Sequence, residues 1–176
     1  MPFLSVLKVV LRLCLLRDGP QDLPASAGLL ATSLGGYSVV GTVNVLPIYG
    51  LGGALAQALI ETVILGAWTY GALMLAHHPR RLVQTLTAIG LAGTVLGILL
   101  TPQLYVLFRA EANQVPATFT SITYLLTVGW LLAVFGRIFQ QALDLRQAWL
   151  GVLIAIGLVL TSSLLIIGIF GNATAG

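Results

Sequence analysis

Leu51–Ala76, LGGALAQALIETVILGAWTYGALMLA, carries a single charged residue, Glu61, in a run of 26 residues. A helix needs ~20 apolar residues to cross ~30 Å of hydrocarbon, so the run is long enough to span a bilayer. It shows no strict alternation of apolar and polar residues. A barrel strand requires that alternation, and only helices and closed barrels satisfy their backbone in lipid. The segment is therefore predicted to be a transmembrane helix with a carboxyl group near its centre. An ionised carboxylate there costs at least ~2.5 kcal/mol on insertion scales. Glu61 is therefore expected to be uncharged, to face the bundle and to donate a hydrogen bond. Gln57, one helical turn earlier, shares its face.

Four further spans are read on either side: residues 25–46, 82–108, 118–139 and 147–170. PIYG (47–50), HHPRR (77–81), RAEANQVPA (109–117) and QALDLRQ (141–147) separate the spans. The composition agrees: 58% of the 176 residues are hydrophobic and 7% are charged, against about 25% charged in a typical soluble domain. The fold class expected is an all-α integral membrane protein. Residues 1–24 form an N-terminal helix and elbow, 25–171 a five-helix bundle, and 172–176 a short tail.

Of the eight basic residues, Lys8, Arg12, Arg17, Arg80, Arg81, Arg137 and Arg146 fall on one side of this layout and only Arg109 on the other. The positive-inside rule then puts the N-terminus in the cytoplasm and the C-terminus outside it, in what is expected to be a bacterial inner membrane. Tyr49, Tyr105, Phe108, Phe119, Tyr124 and Phe170 are expected toward the outer interface, and Phe139 and Trp149 toward the inner one. The net charge of +3 reads as a topology signal, not as a nucleic-acid surface.

Residues 2–16, PFLSVLKVVLRLCLL, are too short to span. Ser5, Lys8 and Arg12 share one helix face. An amphipathic interfacial helix is expected, with Lys8 and Arg12 toward lipid phosphates; the rival reading docks this helix on a partner protein. In the elbow that follows, Asp22 or Ser26 can cap the next helix, and Asp18 can pair with Arg17.

Small residues recur at helical spacing. Gly90, Gly93 and Gly97 in the third span and Gly129, Ala133 and Gly136 in the fourth are expected to let helices approach closely. Asn44, Gln57, Gln84 and Thr94 are expected to form interhelical hydrogen bonds. Pro102 removes the usual donor to the Ile98 carbonyl and predicts a kink. His77 and His78 are adjacent, project about 100° apart and sit at a helix end, where they and Arg80 and Arg81 complement the helix dipole. Arg80 and Arg81 can also meet anionic lipid or a partner. That arrangement argues against haem or metal ligation across a bundle. GLGG (50–53) lacks the lysine and hydroxyl of a phosphate loop, and the lone Cys14 precludes an internal disulfide. No cofactor and no enzymatic activity are expected.

A short cytoplasmic segment before five closely spaced spans, with GPQDLP before the first span, GGY within it and FGRIFQQALDLRQAWLG between the last two, resembles the YIP family of small polytopic membrane proteins. The resemblance implies a membrane-embedded adaptor or scaffold and carries no catalytic residues. Two functions are expected from the sequence. The first is a non-enzymatic scaffold or accessory subunit, whose partners are the bilayer and another membrane protein or further copies of the chain. The alternative is a small transporter or proton-coupled channel built around Glu61.

Overall fold

The computed structural model describes residues 3–170 and is all-helical over them. The expected tail at 172–176, Pro2 and the Ser5 side chain lie outside the described residues. Five α-helices follow in order: α1 (Phe3–Cys14), α2 (Ala27–Leu75), α3 (Leu82–Ala112), α4 (Thr118–Ala142) and α5 (Ala148–Phe170). The last four are long and apolar enough to cross a membrane. Short 3-10 turns at Pro20–Asp22 and Pro79–Arg81 precede α2 and α3.

α2 is 49 residues long but not one rod. Gly50 has φ 64° and ψ 178°, a backbone conformation outside the helical region that a side chain would disfavour. In a straight helix residues 24 apart are ~36 Å apart at 1.5 Å per residue. Here Tyr37 bonds Glu61 at 3.2 Å and Ser38 bonds Thr62 at 2.8 Å. The arms at 27–49 and 51–75 therefore fold back on each other as an antiparallel hairpin. Pro47 contributes to the bend. It has no N–H for the Val43 carbonyl one turn back, and the Tyr105 hydroxyl of α3 donates to that carbonyl at 3.0 Å instead.

α3 is the central helix, with more than half of its most apolar stretch buried against 17% for α5. Its glycine face takes the first arm of α2 side by side and in parallel. A Cβ on Gly90 would meet Ser33, one on Gly93 would lie 2.7 Å from the Tyr37 ring, and one on Gly97 would lie 2.7 Å from Val40. α4 and α5 form a second hairpin, closest at Gly136 and Gly151: a Cβ on Gly151 would meet the Gly136 carbonyl, and one on Gly136 would meet Val152. Gly129 does not share this role. It is exposed, and nothing lies within 4 Å of where its Cβ would be. Beyond the Gly136 crossing, residues of α4 and α5 line a cavity instead of meeting backbone to backbone. Ala133 is half-buried between these two situations.

α3 continues through Pro102 to Ala112 as one helix, four residues past the expected end of the span. Hydropathy locates the apolar part of a helix, not its last hydrogen-bonded turn. One face of α1 packs on the bundle: Val10, Leu13 and Cys14 are buried in the chain's own core, and the Trp130 indole donates to the Cys14 carbonyl at 2.8 Å. Lys8 and Arg12 lie on the exposed side. Phe139 is fully buried in that core and belongs to no interfacial belt, whereas Trp149 is exposed.

Candidate functional site

Where the α2 hairpin faces α3, α4 and α5, it leaves a cavity of about 540 Å³. Most of its wall is aliphatic and aromatic. The polar residues in its wall are Tyr37, Asn44, Gln57, Glu61, Tyr124, Ser162 and Ser163. Tyr37 is fixed from two sides: its ring lies against Gly93, and its hydroxyl donates to Glu61 Oε1 at 3.2 Å. Glu61 is thus the acceptor in this pair, whereas the sequence reading made it the donor. It is held in the bundle, as expected, with Gln57 one turn away lining the same space.

The polar groups differ in how well they are satisfied. Asn44 Oδ1 accepts from Thr101 at 2.7 Å, and Asn44 Nδ2 donates to the Gly97 carbonyl at 3.5 Å. Ser38 and Thr62 satisfy each other, and Thr62 also donates to the Ala58 carbonyl. Gln57 is 8% exposed and Ser162 7% exposed, yet neither Gln57 Oε1 nor Ser162 Oγ has a hydrogen-bond partner. Leaving a buried polar atom unsatisfied costs about 1–3 kcal/mol. Both atoms belong to residues lining this one cavity. Trp68 Nε1 and Thr69 Oγ1 are the other buried unpartnered side-chain atoms among the described residues. Trp68 instead lines an apolar groove at the opposite end of the hairpin, beside Leu75 and Leu143.

The basic residues form a separate structure at that opposite end. Arg81 donates to the Gln141 and Ala142 carbonyls at 3.2 and 3.1 Å and pairs with Asp144 at 3.0 Å. Its guanidinium caps the end of α4, where helix carbonyls lack internal donors, and stays partly exposed. Arg80 and Lys8 are exposed. Arg12 pairs with Asp18 at 3.1 Å, in place of the Arg17 pairing expected for that carboxylate. Gln84 donates to the Leu23 carbonyl at 2.9 Å, tying the elbow to α3. Ser26 caps α2 through the Leu29 amide, whereas Asp22 accepts from the Gly19 amide.

The sequence reading found Glu61, Gln57 and Asn44 but missed Tyr37, Tyr124 and Ser162. For Tyr37 a signal existed. Once the chain turns at Tyr49–Gly50, residues equally far from the turn face each other, and Tyr37 and Glu61 each lie twelve from Tyr49. Tyr124 and Ser162 are on α4 and α5, and no local pattern links them to Glu61. Glu61 is the cavity's one carboxyl group, and no cluster of three or more His, Cys, Asp or Glu side chains occurs among the described residues. Chemically, the site has one carboxyl group and two tyrosines among its lining residues, within a largely apolar wall. It can bind a molecule or relay a proton. Compared with family models, curated proteins and solved structures, the chain matches none.

Proposed function

We propose that the chain is a five-span protein of the bacterial inner membrane, with its N-terminus in the cytoplasm. In this reading it binds a solute in the cavity at Tyr37 and Glu61 and acts as a small carrier or proton-coupled pathway. The break at Gly50 supports five spans, because each arm of α2 then has the length of one crossing. The excess of basic residues at the Arg81–Asp144 end supports the orientation. In this frame the cavity lies in the outer half of the membrane, with Glu61 at its deep end. The observation that carries the functional reading is the Tyr37–Glu61 bond between residues that line one cavity of about 540 Å³. A carboxyl group inside a membrane bundle is costly, and beside open space it is a candidate for binding or proton transfer.

The test is cysteine accessibility in a Cys14→Ala background. Tyr124→Cys, at a part-exposed position in the cavity wall, is expected to react with a membrane-impermeant maleimide added from the extracytoplasmic side. Leu164→Cys, at a position 70% exposed on the bundle's outer surface and facing lipid in this reading, is expected to stay unlabelled. Protection of residue 124 equal to that of residue 164 would remove the hydrated cavity and with it this reading.

A specific observation also favours the scaffold or accessory-subunit reading. Gly66, Gly71 and Gly129 have no neighbour within 4 Å of a Cβ position, so these small residues are not used in the chain's own packing. In lipid, such surfaces admit close approach of another helix, and the layout that resembles the YIP family points to an adaptor. Stoichiometric retention of a membrane protein through purification in mild detergent, lost on Gly66→Leu or Gly129→Leu, is the outcome this second reading expects.

A further inference from the structure

The groove beside Trp68 is open, apolar and about 770 Å³ in volume. Its lining residues on the second arm of α2 run from Ile64 to Ala76 and share one helix face. Twelve residue steps separate these two, a length of ~18 Å at 1.5 Å per residue. α5 supplies the facing wall between Ile154 and Leu165, where Thr161 brings the one hydroxyl among the lining residues. The Trp68 ring joins the two walls: a Cβ on Gly157 of α5 would lie 2.9 Å from it. Gly71, also in the lining, has nothing within 4 Å of where its Cβ would project.

Charge gathers where the groove ends. Leu143 and Leu145 line it at the turn from α4 to α5. Asp144, between them, is exposed, and its carboxylate meets Arg81 at 3.0 Å and His78 at 3.6 Å. Arg146, next to Leu145, and Arg80 are exposed and have no ion pair among the described residues. Arg80, Arg81 and Arg146 therefore face a single acid, Asp144, at this end. A partner helix would have to bring its own acids here, and a small apolar solute would leave the charge unused. A phospholipid supplies both parts in one molecule. Its acyl chain spans one leaflet, ~15 Å or half of the ~30 Å core, close to the length of the groove, and its phosphate sits at the chain's end. The cytoplasmic leaflet is the one rich in anionic lipid, and basic pockets between helices on that side bind such headgroups.

We propose that the groove between α2 and α5 binds an anionic phospholipid of the cytoplasmic leaflet, with one acyl chain along Trp68 and Gly71 and the phosphate at Arg81 and Arg146. The assignment uses the membrane orientation given above and is independent of the Tyr37–Glu61 cavity.

Bromine on an acyl chain quenches indole fluorescence only at close range, so Trp68 reports on its own neighbour. Full-length protein carrying Trp130→Phe and Trp149→Phe keeps Trp68 as its sole tryptophan. It is placed in phosphatidylcholine nanodiscs containing increasing fractions of dibrominated phosphatidylglycerol or of dibrominated phosphatidylcholine. The anionic lipid is expected to reach half-maximal quenching at a fraction lower by about fivefold or more, the factor that ~1 kcal/mol per basic residue near the surface corresponds to. Arg80→Gln combined with Arg146→Gln is expected to erase this preference, and both side chains are exposed and unpaired among the described residues. Gly71→Leu, which fills open space in the groove, is expected to erase it as well. Leu153→Trp, in a background with Trp68→Phe added, puts the reporter at a position of α5 that is 52% exposed but outside the groove lining. No preference is expected there.

Equal quenching of Trp68 by the two lipids would overturn the assignment, whatever the variants do. A preference of the same size at position 153 would mean a general attraction of anionic lipid to the protein and would overturn the site. A preference that survives the paired arginine change would overturn the placement of the headgroup. No quenching of Trp68 by either lipid would mean that protein covers the groove, a partner helix or a second copy, and would overturn the lipid too. Labelling of Tyr124→Cys judges the solute cavity separately, so either reading can fail while the other stands.

Discussion

The hydroxyl of Tyr37 is the smallest feature on which the site depends. It joins the two arms of α2 through Glu61 at 3.2 Å, and its ring occupies the space that Gly93 leaves on α3. Tyr37→Phe keeps the ring and removes the bond, so it is expected to lower unfolding free energy by about 0.6 kcal/mol, the average for polar contacts between membrane helices. Glu61→Gln keeps an acceptor for Tyr37 but cannot titrate. It is expected to fold and to unfold within about 0.5 kcal/mol of wild type, as a near-isosteric change does when its contacts survive, while abolishing any proton-coupled transport. Retention of full transport in Glu61→Gln would exclude titration of this carboxyl group from the mechanism. Cys14 makes an independent residue-scale prediction. Burial in the core beneath α1 pushes its thiol up to about 11 from 9.0. The thiolate is the reactive form, and raising the thiol pKa lowers its fraction at neutral pH. Maleimide labelling of Cys14 is therefore expected to be much slower at pH 7.5 than that of an exposed cysteine and to rise steadily toward pH 11. Rapid labelling at pH 7.5 would show that α1 does not stay docked.

At the scale of the helices, small residues separate into two classes that sequence spacing alone treats alike. Gly136 and Gly151 meet where α4 crosses α5, and added side chains there would collide with backbone. Gly129 lies seven residues before Gly136 on α4, yet has open space where its Cβ would project. Gly136→Leu and Gly151→Leu are expected to destabilise the bundle by about 1–3 kcal/mol, the usual cost of overpacking, whereas Gly129→Leu stays within about 0.5 kcal/mol, as surface changes do. Unfolding in graded denaturing detergent measures all three. A Gly129→Leu loss equal to that of Gly136→Leu would mean that α4 has a close partner along its whole length. Helix ends show a related division. α2, α3 and α4 each stop with the residue after the cap in the left-handed region: His77, Gln114 and Asp144 have φ of 59°, 53° and 53°. The amide of the following residue then closes back onto the helix, as His78 does to the Leu73 carbonyl at 2.8 Å and Leu145 to the Gln140 carbonyl at 2.9 Å.

Across the whole molecule, one end gathers Arg12, Asp18, Arg80, Arg81 and Asp144, while the other has the Gly50 turn and the cavity-lining residues Ile48 and Phe108. This polarity predicts the sidedness of the loops in a cell. Reporters inserted after Ala117 and after Arg146 are expected on opposite faces of the membrane, residue 146 in the cytoplasm. Activity of both on the same face would mean that α4 does not cross. The end opposite Gly50 is tied by Arg81 to the α4 carbonyls and by Gln84 to the elbow at Leu23.

The sequence by itself determined the helical class, the apolar segments and the division near Gly50, because these follow from local composition, backbone conformation and one-dimensional charge placement. It marked Glu61 because one carboxyl group stands out in an apolar run. Gly90, Gly93 and Gly97 were legible as a packing face for the same reason, by periodicity on one helix. Tertiary structure alone decided that this face takes Ser33, Tyr37 and Val40, that α1 packs on its own bundle, and that Arg81 caps α4. It also decided that Gln57 and Ser162, 105 positions apart, line one cavity without partners. Periodicity identifies the face of a helix but not the helix opposite it. A hydrogen bond, a glycine contact and a cavity each depend on both sides, and the second side is fixed only when the whole chain has packed.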